Sequence, residues 1–190
     1  MRDTAAVGLL VGFESLLPAY ARPGSIHHGG GGPIDLTIDK HTLDIGGRRV
    51  SAIAVNGTVP GPLLRLREGQ EAMIRVTNRM KDEDASIHWH GLLLPFQMDG
   101  VPGLSFPGIR PGETFTYRFP VIQSGTYWYH SHSALQEQLG VYGPIVIDPA
   151  DSDPVRYDRE YVIILADWLS GDPDAMVAKL EKGPSRKICE

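Results

Sequence analysis

The sequence predicts an all-β fold, either a sandwich or a barrel. Short stretches in which apolar and polar residues alternate recur through residues 34–149, a pattern typical of strands with one buried face. Turn signals separate these stretches at intervals of roughly 8–12 residues, as they do in sandwiches and barrels. The 22 glycines and 15 prolines among 190 residues suit a fold with many tight turns.

Each predicted strand is bounded by residues that favour turns, of which Asn56-Gly57 and Pro60-Gly61-Pro62 are the strongest examples. The predicted strands are residues 34–38, 41–45, 48–55, 63–66, 71–77, 86–90, 113–119, 125–131 and 140–147. One helical turn is expected at 133–138. The stretch 94–112 is long, irregular and rich in proline and glycine, and a loop of that length in a compact domain is usually functional.

Four segments are expected along the chain. Residues 1–21 resemble a partial export signal, because the apolar stretch 5–13 precedes Ala19-Tyr20-Ala21, a small-x-small cleavage pattern. The segment 22–33 is a glycine-rich linker, in which His27 and His28 are expected to be solvated. The β domain occupies residues 34–149.

Residues 150–190 are interpreted as the start of a second domain that the chain does not complete. The apolar stretch 160–166 predicts a strand, and a helix is expected over 175–181. Asp172 is the expected N-cap of this helix, with Pro173 in its first position. One strand and one helix cannot bury a hydrophobic core of their own.

Composition excludes several classes of protein. The formal net charge is -5 and no stripe of lysine and arginine is present, which argues against nucleic-acid binding. No run of about 20 apolar residues is present, so no membrane-spanning helix is expected. Cys189 is the only cysteine, which rules out a disulfide within the chain.

Two histidine pairs are the strongest chemical signal. They lie in His88-Trp89-His90-Gly91 and in Tyr129-His130-Ser131-His132. On an extended strand, residues i and i+2 leave the same face, so each pair presents two imidazoles on one side. Four imidazoles on neighbouring strands would form a nitrogen cage for a transition metal, and copper(II) has the highest affinity for such donors.

Three interpretations of the pairs are open. The Cα atoms of residues i and i+2 on a strand are about 7 Å apart, and this separation favours a site with more than one ion. A mononuclear zinc or iron site in a cupin barrel also uses a His-x-His strand, but residues 92–95 lack the glutamate expected there. The third interpretation is a structural β-sandwich in which the histidines bind no metal.

The sequence resembles the first cupredoxin domain of the multicopper oxidases. The resemblance covers residues 34–181. Within that family, residues 91–138 most resemble the periplasmic copper-resistance protein A type. The motifs that carry it are the two early turns, His88-Trp89-His90-Gly91, Met98-Asp99-Gly100-Val101-Pro102, Pro111-Gly112-Glu113 and Gly125-Thr126-Tyr127-Trp128-Tyr129-His130-Ser131-His132.

The resemblance implies a cupredoxin-like Greek-key β-sandwich and a trinuclear copper cluster at which dioxygen is reduced to water. By motif position, His88 would bind the type 2 copper. His90 and His130 would bind one type 3 copper, and His132 the other. Asp99 matches an acidic residue near the cluster that would orient water and relay protons; the alternative is that Asp99 only starts a turn with Gly100. Trp89, Trp128 and Tyr129 are interpreted as packing residues.

The resemblance also implies ligands that this sequence does not contain. The family takes the other half of its cluster from a C-terminal cupredoxin domain, and its type 1 copper needs a cysteine flanked by histidines. Cys189 has no histidine near it and is not that ligand. We therefore expect the chain to be a fragment of a periplasmic oxidase, inactive without its missing domain, dioxygen and a reducing substrate. The alternative is a non-catalytic periplasmic module that binds and buffers copper.

Overall fold

Two β-sheets build the folded part of the chain. The computed structural model describes residues 26–28, 32–153, 155–168 and 171–183. Within these residues the strands are β1 (Ile26–His28), β2 (Ile34–Ile45), β3 (Arg48–Val55), β4 (Leu63–Arg67), β5 (Glu71–Asn78), β6 (His88–His90), β7 (Thr114–Pro120), β8 (Gly125–His130) and β9 (Tyr142–Asp148). A 3-10 helix (Phe96–Met98) and one α-helix, α1 (Pro173–Glu181), complete the elements.

One sheet has five strands in the order β1-β4-β9-β8-β6, and the other has four in the order β3-β2-β5-β7. Both sheets are mixed. β2 runs parallel to β5 and β4 runs parallel to β9, whereas β6, β8 and β9 pair in antiparallel fashion. The predicted all-β sandwich is confirmed.

The core lies between the sheets because the strands bury alternate residues. In β5, residues Ala72, Ile74, Val76 and Asn78 are buried, and the residues between them are partly or fully exposed. Trp89 of β6 and Tyr117 of β7 are both fully buried and meet edge to face, with ring centroids 5.1 Å apart. This aromatic contact fixes β6, an edge strand, against the opposite sheet.

Tyr129 fixes β8 in a similar way. Its hydroxyl donates to the backbone carbonyl of Pro62 at 2.9 Å. A Cβ atom on either Gly61 or Gly143 would collide with this hydroxyl, so both positions require glycine. The inward side chains of β6 and β8 thus hold the two strands that carry the histidine pairs.

Most predicted strands agree with the observed ones to within two residues. The predicted strands 34–38 and 41–45 are a single strand, β2, because Asp39 and Lys40 continue the pairing with β3. The helical turn expected at 133–138 is instead a series of hydrogen-bonded turns over 134–140. The linker expected at 22–33 contains β1, which pairs with the outer edge of β4.

The prediction of a strand at 160–166 was wrong. This segment is irregular, and Ile163 and Leu165 are 77% and 93% exposed. An apolar alternating segment forms a strand only where a neighbouring strand supplies hydrogen-bond partners, and the described residues supply none here. Arg65 attaches the segment to the sandwich through ion pairs with Asp148 and Glu160, each at 2.6 Å.

The predicted helix is confirmed as α1. The carboxylate of Asp172 accepts a hydrogen bond from the backbone N–H of Asp174 at 3.0 Å, and Pro173 occupies the first helical position. No helix among the described residues has the length and apolar character needed to cross a bilayer. The expected export signal at 1–21 and Cys189 lie outside the described residues.

Candidate metal centre

The pairing of β6 with β8 brings the two histidine pairs together. The strands are antiparallel, with His88 opposite His130, Trp89 opposite Tyr129 and His90 opposite Trp128. Because successive side chains alternate between the two faces, Trp89 and Tyr129 enter the core while the histidines leave the outer face. Sequence and register together therefore concentrate imidazoles at one edge of the sandwich.

All four predicted ligands lie in one cluster. His88, His90 and His130 each offer a ring nitrogen, and these nitrogens lie within 4.8 Å of one another. The His132 ring follows the end of β8 and lies against two of them, with centroid separations of 4.7 Å from His88 and 4.9 Å from His130. His132 is not one of the three histidines whose nitrogens converge, but its ring lies next to them.

The orientation of His88 is set by the loop that follows β6. Its Nδ1–H donates to the backbone carbonyl of Asp99 at 2.8 Å, which leaves Nε2 free to bind an ion. The Asp99 carboxylate lies at 3.4 Å from the same Nδ1. The predicted acidic residue is thus beside the cluster, and its backbone makes the shorter contact.

Gly100 permits this approach of the loop to β6. Its φ is +78°, and a Cβ atom at this position would collide with the backbone carbonyl of Ile87. Glycine alone combines that backbone conformation with so little volume. Just after β6, the Gln123 side-chain amide donates to the Gly91 carbonyl at 2.9 Å and accepts from the Leu93 N–H at 2.6 Å.

His90 and His130 face each other directly. The Nδ1 of His90 lies 3.2 Å from the Nε2 of His130. The other nitrogen of His130, Nδ1, lies 2.6 Å from the Glu137 carboxylate. The Nδ1–H of His130 donates to the backbone carbonyl of Ser131 at 3.2 Å, so the Nε2 of His130 carries the lone pair and accepts from His90.

Electrostatics disfavour a positive charge on His130 and His132. Burial, reinforced by the neighbouring imidazoles, lowers the pKa of His130 to about 4, and the same causes lower the pKa of His132. Several imidazolium ions so close together would repel one another, and burial penalises each charge. Metal ligation requires neutral imidazole, so His130 is in its ligating form at pH 7.

A buried hydroxyl network supports the second pair from behind. The Ser86 hydroxyl accepts from the backbone N–H of His132 at 2.9 Å and lies 3.3 Å from the Ser131 hydroxyl. Ser131 donates to the side-chain oxygen of Gln136 at 2.9 Å. These contacts fix the backbone on which His130 and His132 stand.

Aromatic rings cover the cluster on the β8 side. The indole of Trp128 stacks on the His130 ring, with centroids 4.0 Å apart and planes 10° from parallel, and it also contacts His90 at 5.1 Å. Sequence reasoning assigned Trp128 to packing and did not anticipate its contact with two candidate ligands. Glu137 was missed altogether, because nothing in the sequence distinguishes it from other charged residues in a turn.

The donor set fits copper. Imidazole nitrogen suits copper, zinc, iron and nickel, and copper(II) binds such donors most strongly. The ring nitrogens of three histidines converge, and hydrogen bonds from the Nδ1 atoms of His88 and His130 to backbone carbonyls direct their Nε2 atoms to the cluster. His90 and His132 are exposed and His88 is partly exposed, so the cluster is accessible from solvent.

Comparison with known proteins agrees with this geometry. Residues 37–152 match the family model described as "Multicopper oxidase". The chain is 53% identical over 167 residues to a copper resistance protein A homolog of Pseudomonas syringae pv. tomato, covering 87% of this chain and 28% of that protein. It is 52% identical over 152 residues to copper resistance protein A of Escherichia coli, covering 80% and 25%.

The fold has solved counterparts as well. A multicopper oxidase from Pseudomonas thermotolerans superposes with a TM-score of 0.62 at 34% identity, covering 70% of this chain and 32% of that one. The sandwich therefore has the cupredoxin-like fold that the sequence predicted. This chain spans about a quarter to a third of the length of these relatives. On the match to the family model and the identity to these relatives, the chain belongs to the multicopper oxidase family.

Proposed function

We propose that this domain binds copper and supplies half of the ligands of a trinuclear cluster in a copper-resistance oxidase. The observation that carries the proposal is the convergence of ring nitrogens from His88, His90 and His130 within 4.8 Å. By motif, His88 serves the type 2 ion, His90 and His130 one type 3 ion, and His132 the other. When bound, such a cluster would pass electrons from the reducing substrate to dioxygen, which is reduced to water.

The chain's own residues orient the ligands and handle protons. The Asp99 carbonyl holds His88 with its Nε2 directed to the cluster. The Asp99 carboxylate, 3.4 Å from His88 Nδ1 and partly exposed, lies where a proton can pass between solvent and the site. We assign Asp99 to proton relay on that position.

A second cupredoxin domain is the proposed partner, and it brings the remaining histidines and the type 1 site where electrons enter. The reducing substrate is a diphenol-like compound or cuprous ion. We place the protein in the periplasm, with the signal-like pattern at 1–21 and the copper-resistance relatives as support.

Oxygen uptake by the copper-loaded chain tests the proposal. With a diphenol as reductant, the chain alone is expected to take up no more oxygen than free copper does at the same concentration. Uptake is expected when a domain carrying the remaining copper ligands is added. Oxygen-dependent turnover by the chain alone would contradict the assignment of half a cluster. Copper binding without turnover in the two-domain mixture would favour a buffering module instead.

A further inference from the structure

Glu137 makes a short contact with a candidate ligand. Its carboxylate lies 2.6 Å from the Nδ1 of His130, a side chain that is only 8% exposed. The backbone carbonyl of Ser131 lies 3.2 Å from the same nitrogen. The Ser131 carbonyl accepts a hydrogen bond from Nδ1–H, and the Glu137 carboxylate places a negative charge against the same nitrogen, so both favour the imidazole proton at Nδ1.

This contact determines which nitrogen can bind an ion. With its proton at Nδ1, His130 carries a lone pair at Nε2, the nitrogen 3.2 Å from His90. His88 is also oriented through Nδ1, but its closest acceptor is a neutral carbonyl. His130 differs because the group closest to its Nδ1 is a carboxylate.

The turn that carries Glu137 is held in place by its neighbour. Gln136 is 1% exposed, and its side-chain amide accepts from the Ser131 hydroxyl and donates to the Asp84 carbonyl at 2.7 Å. The Glu137 carbonyl accepts from the N–H of Gly140 at 3.0 Å. The backbone beneath the carboxylate is therefore fixed on the same network that supports the second histidine pair.

We propose that Glu137 is a positioning residue that holds His130 in the tautomer whose Nε2 binds copper and favours Cu(II) over Cu(I). The preference for Cu(II) rests on the proposed function, whereas the tautomer is a property of the metal-free chain. A negative charge beside the outer nitrogen of a ligating imidazole raises the basicity of the ring and offsets the charge of the bound ion. The ion of higher charge gains more from this interaction.

The first experiment measures the tautomer without metal. Nitrogen-15 NMR of the metal-free chain is expected to show His130 protonated at Nδ1. Glu137→Gln should keep that tautomer, because an amide oxygen can still face Nδ1–H, whereas Glu137→Ala leaves only the Ser131 carbonyl at 3.2 Å and should yield a mixture. Glu181→Gln on α1 removes the same charge outside the sandwich and should change nothing. An unchanged tautomer in Glu137→Ala would overturn the positioning role.

The second experiment measures affinity for both copper ions by competition with chelators. Cu(II) affinity should fall about 10-fold in Glu137→Ala and in Glu137→Gln, with a smaller loss for Cu(I). Equal losses for the two ions, or none, would overturn the charge effect. Circular dichroism and the thermal midpoint show that each variant folds. If the unaltered chain binds no copper, the proposed function fails, while the NMR result still decides the positioning role.

Discussion

The Nδ1 of His88 donates to the backbone carbonyl of Asp99, and the Asp99 carboxylate lies farther away, at 3.4 Å. The residue therefore has two separable parts. Its backbone orients a candidate ligand, and any mutation that keeps the loop in place keeps this contact. Its side-chain carboxylate does not make the orienting contact, so it is available to transfer protons.

We predict that Asp99→Asn separates these two parts. Copper affinity of the chain should change by less than about threefold, because the orienting carbonyl is retained. Turnover in the two-domain mixture should fall by about 10²-fold or more, since an amide cannot relay protons. His88→Ala is the control that removes a ligand. A large loss of copper affinity in Asp99→Asn would show that the carboxylate itself holds the site.

Gly100→Ala should damage the site without touching a ligand. The new Cβ would collide with the Ile87 carbonyl at the start of β6, so the loop must move away from the strand. We expect a loss of about 2–3 kcal/mol in the free energy of unfolding, measured with urea, together with weaker copper binding.

Gly103→Ala is the matched control for that substitution. Gly103 has nearly the same φ, +75°, but a Cβ atom added there would have no other atom within 4 Å. It should cost only the conformational strain, about 1 kcal/mol. If both variants lose the same stability, the close packing of the loop on β6 contributes nothing.

Stability of the metal-free chain should fall as the pH drops from about 6.5 to about 4. In that interval the unfolded chain protonates His130, whereas the folded chain does not, because burial and the neighbouring imidazoles lower the pKa of His130 to about 4. Stability is therefore highest above the unfolded pKa and declines by about 1.4 kcal/mol per pH unit for each such proton. Below pH 4 this contribution stops changing.

Urea unfolding at several pH values, compared between the unaltered chain and His130→Gln, isolates the effect. The His130→Gln variant retains every other titrating group, including Glu137, and its stability should decline less steeply as the pH falls. Parallel curves for the two proteins would mean that His130 titrates in the folded chain as it does in the unfolded one.

Copper binding should quench the fluorescence of Trp128, because its indole stacks on the His130 ring at 4.0 Å. Trp128→Phe should remove most of the copper-dependent change and leave the affinity within about threefold, since phenylalanine can still stack. An undiminished change in this variant would place the ion away from His130.

The strands and the ligand pairs were predictable because both depend on local periodicity. The alternation of apolar and polar residues in β5 and the His-x-His spacing directly indicate which side chains share a face. The merging of two predicted strands into β2 was not predictable, since the pairing of Asp39 and Lys40 with β3 is a tertiary effect. The strand predicted at 160–166 does not form for the opposite reason. Its local pattern is that of a strand, but a strand needs a neighbouring strand with which to pair.

The finer geometry of the site depends on contacts between distant residues. Glu137 reaches His130 through a turn, and the carbonyl of Asp99 reaches His88 from a loop eleven residues further along the chain. Neither contact has a periodic signature. Motif spacing therefore predicts which imidazoles gather, while packing decides which nitrogen of each ring is available.

Copper stoichiometry of the purified chain is the most direct test of the central claim. The chain is titrated with copper, freed of unbound ion, and assayed for metal beside a His88→Ala/His130→Ala variant, with His41→Ala as a control outside the cluster. One or two copper ions per chain, retained in the control and lost in the double variant, is the predicted result. Equal copper in the unaltered chain and the double variant would contradict it.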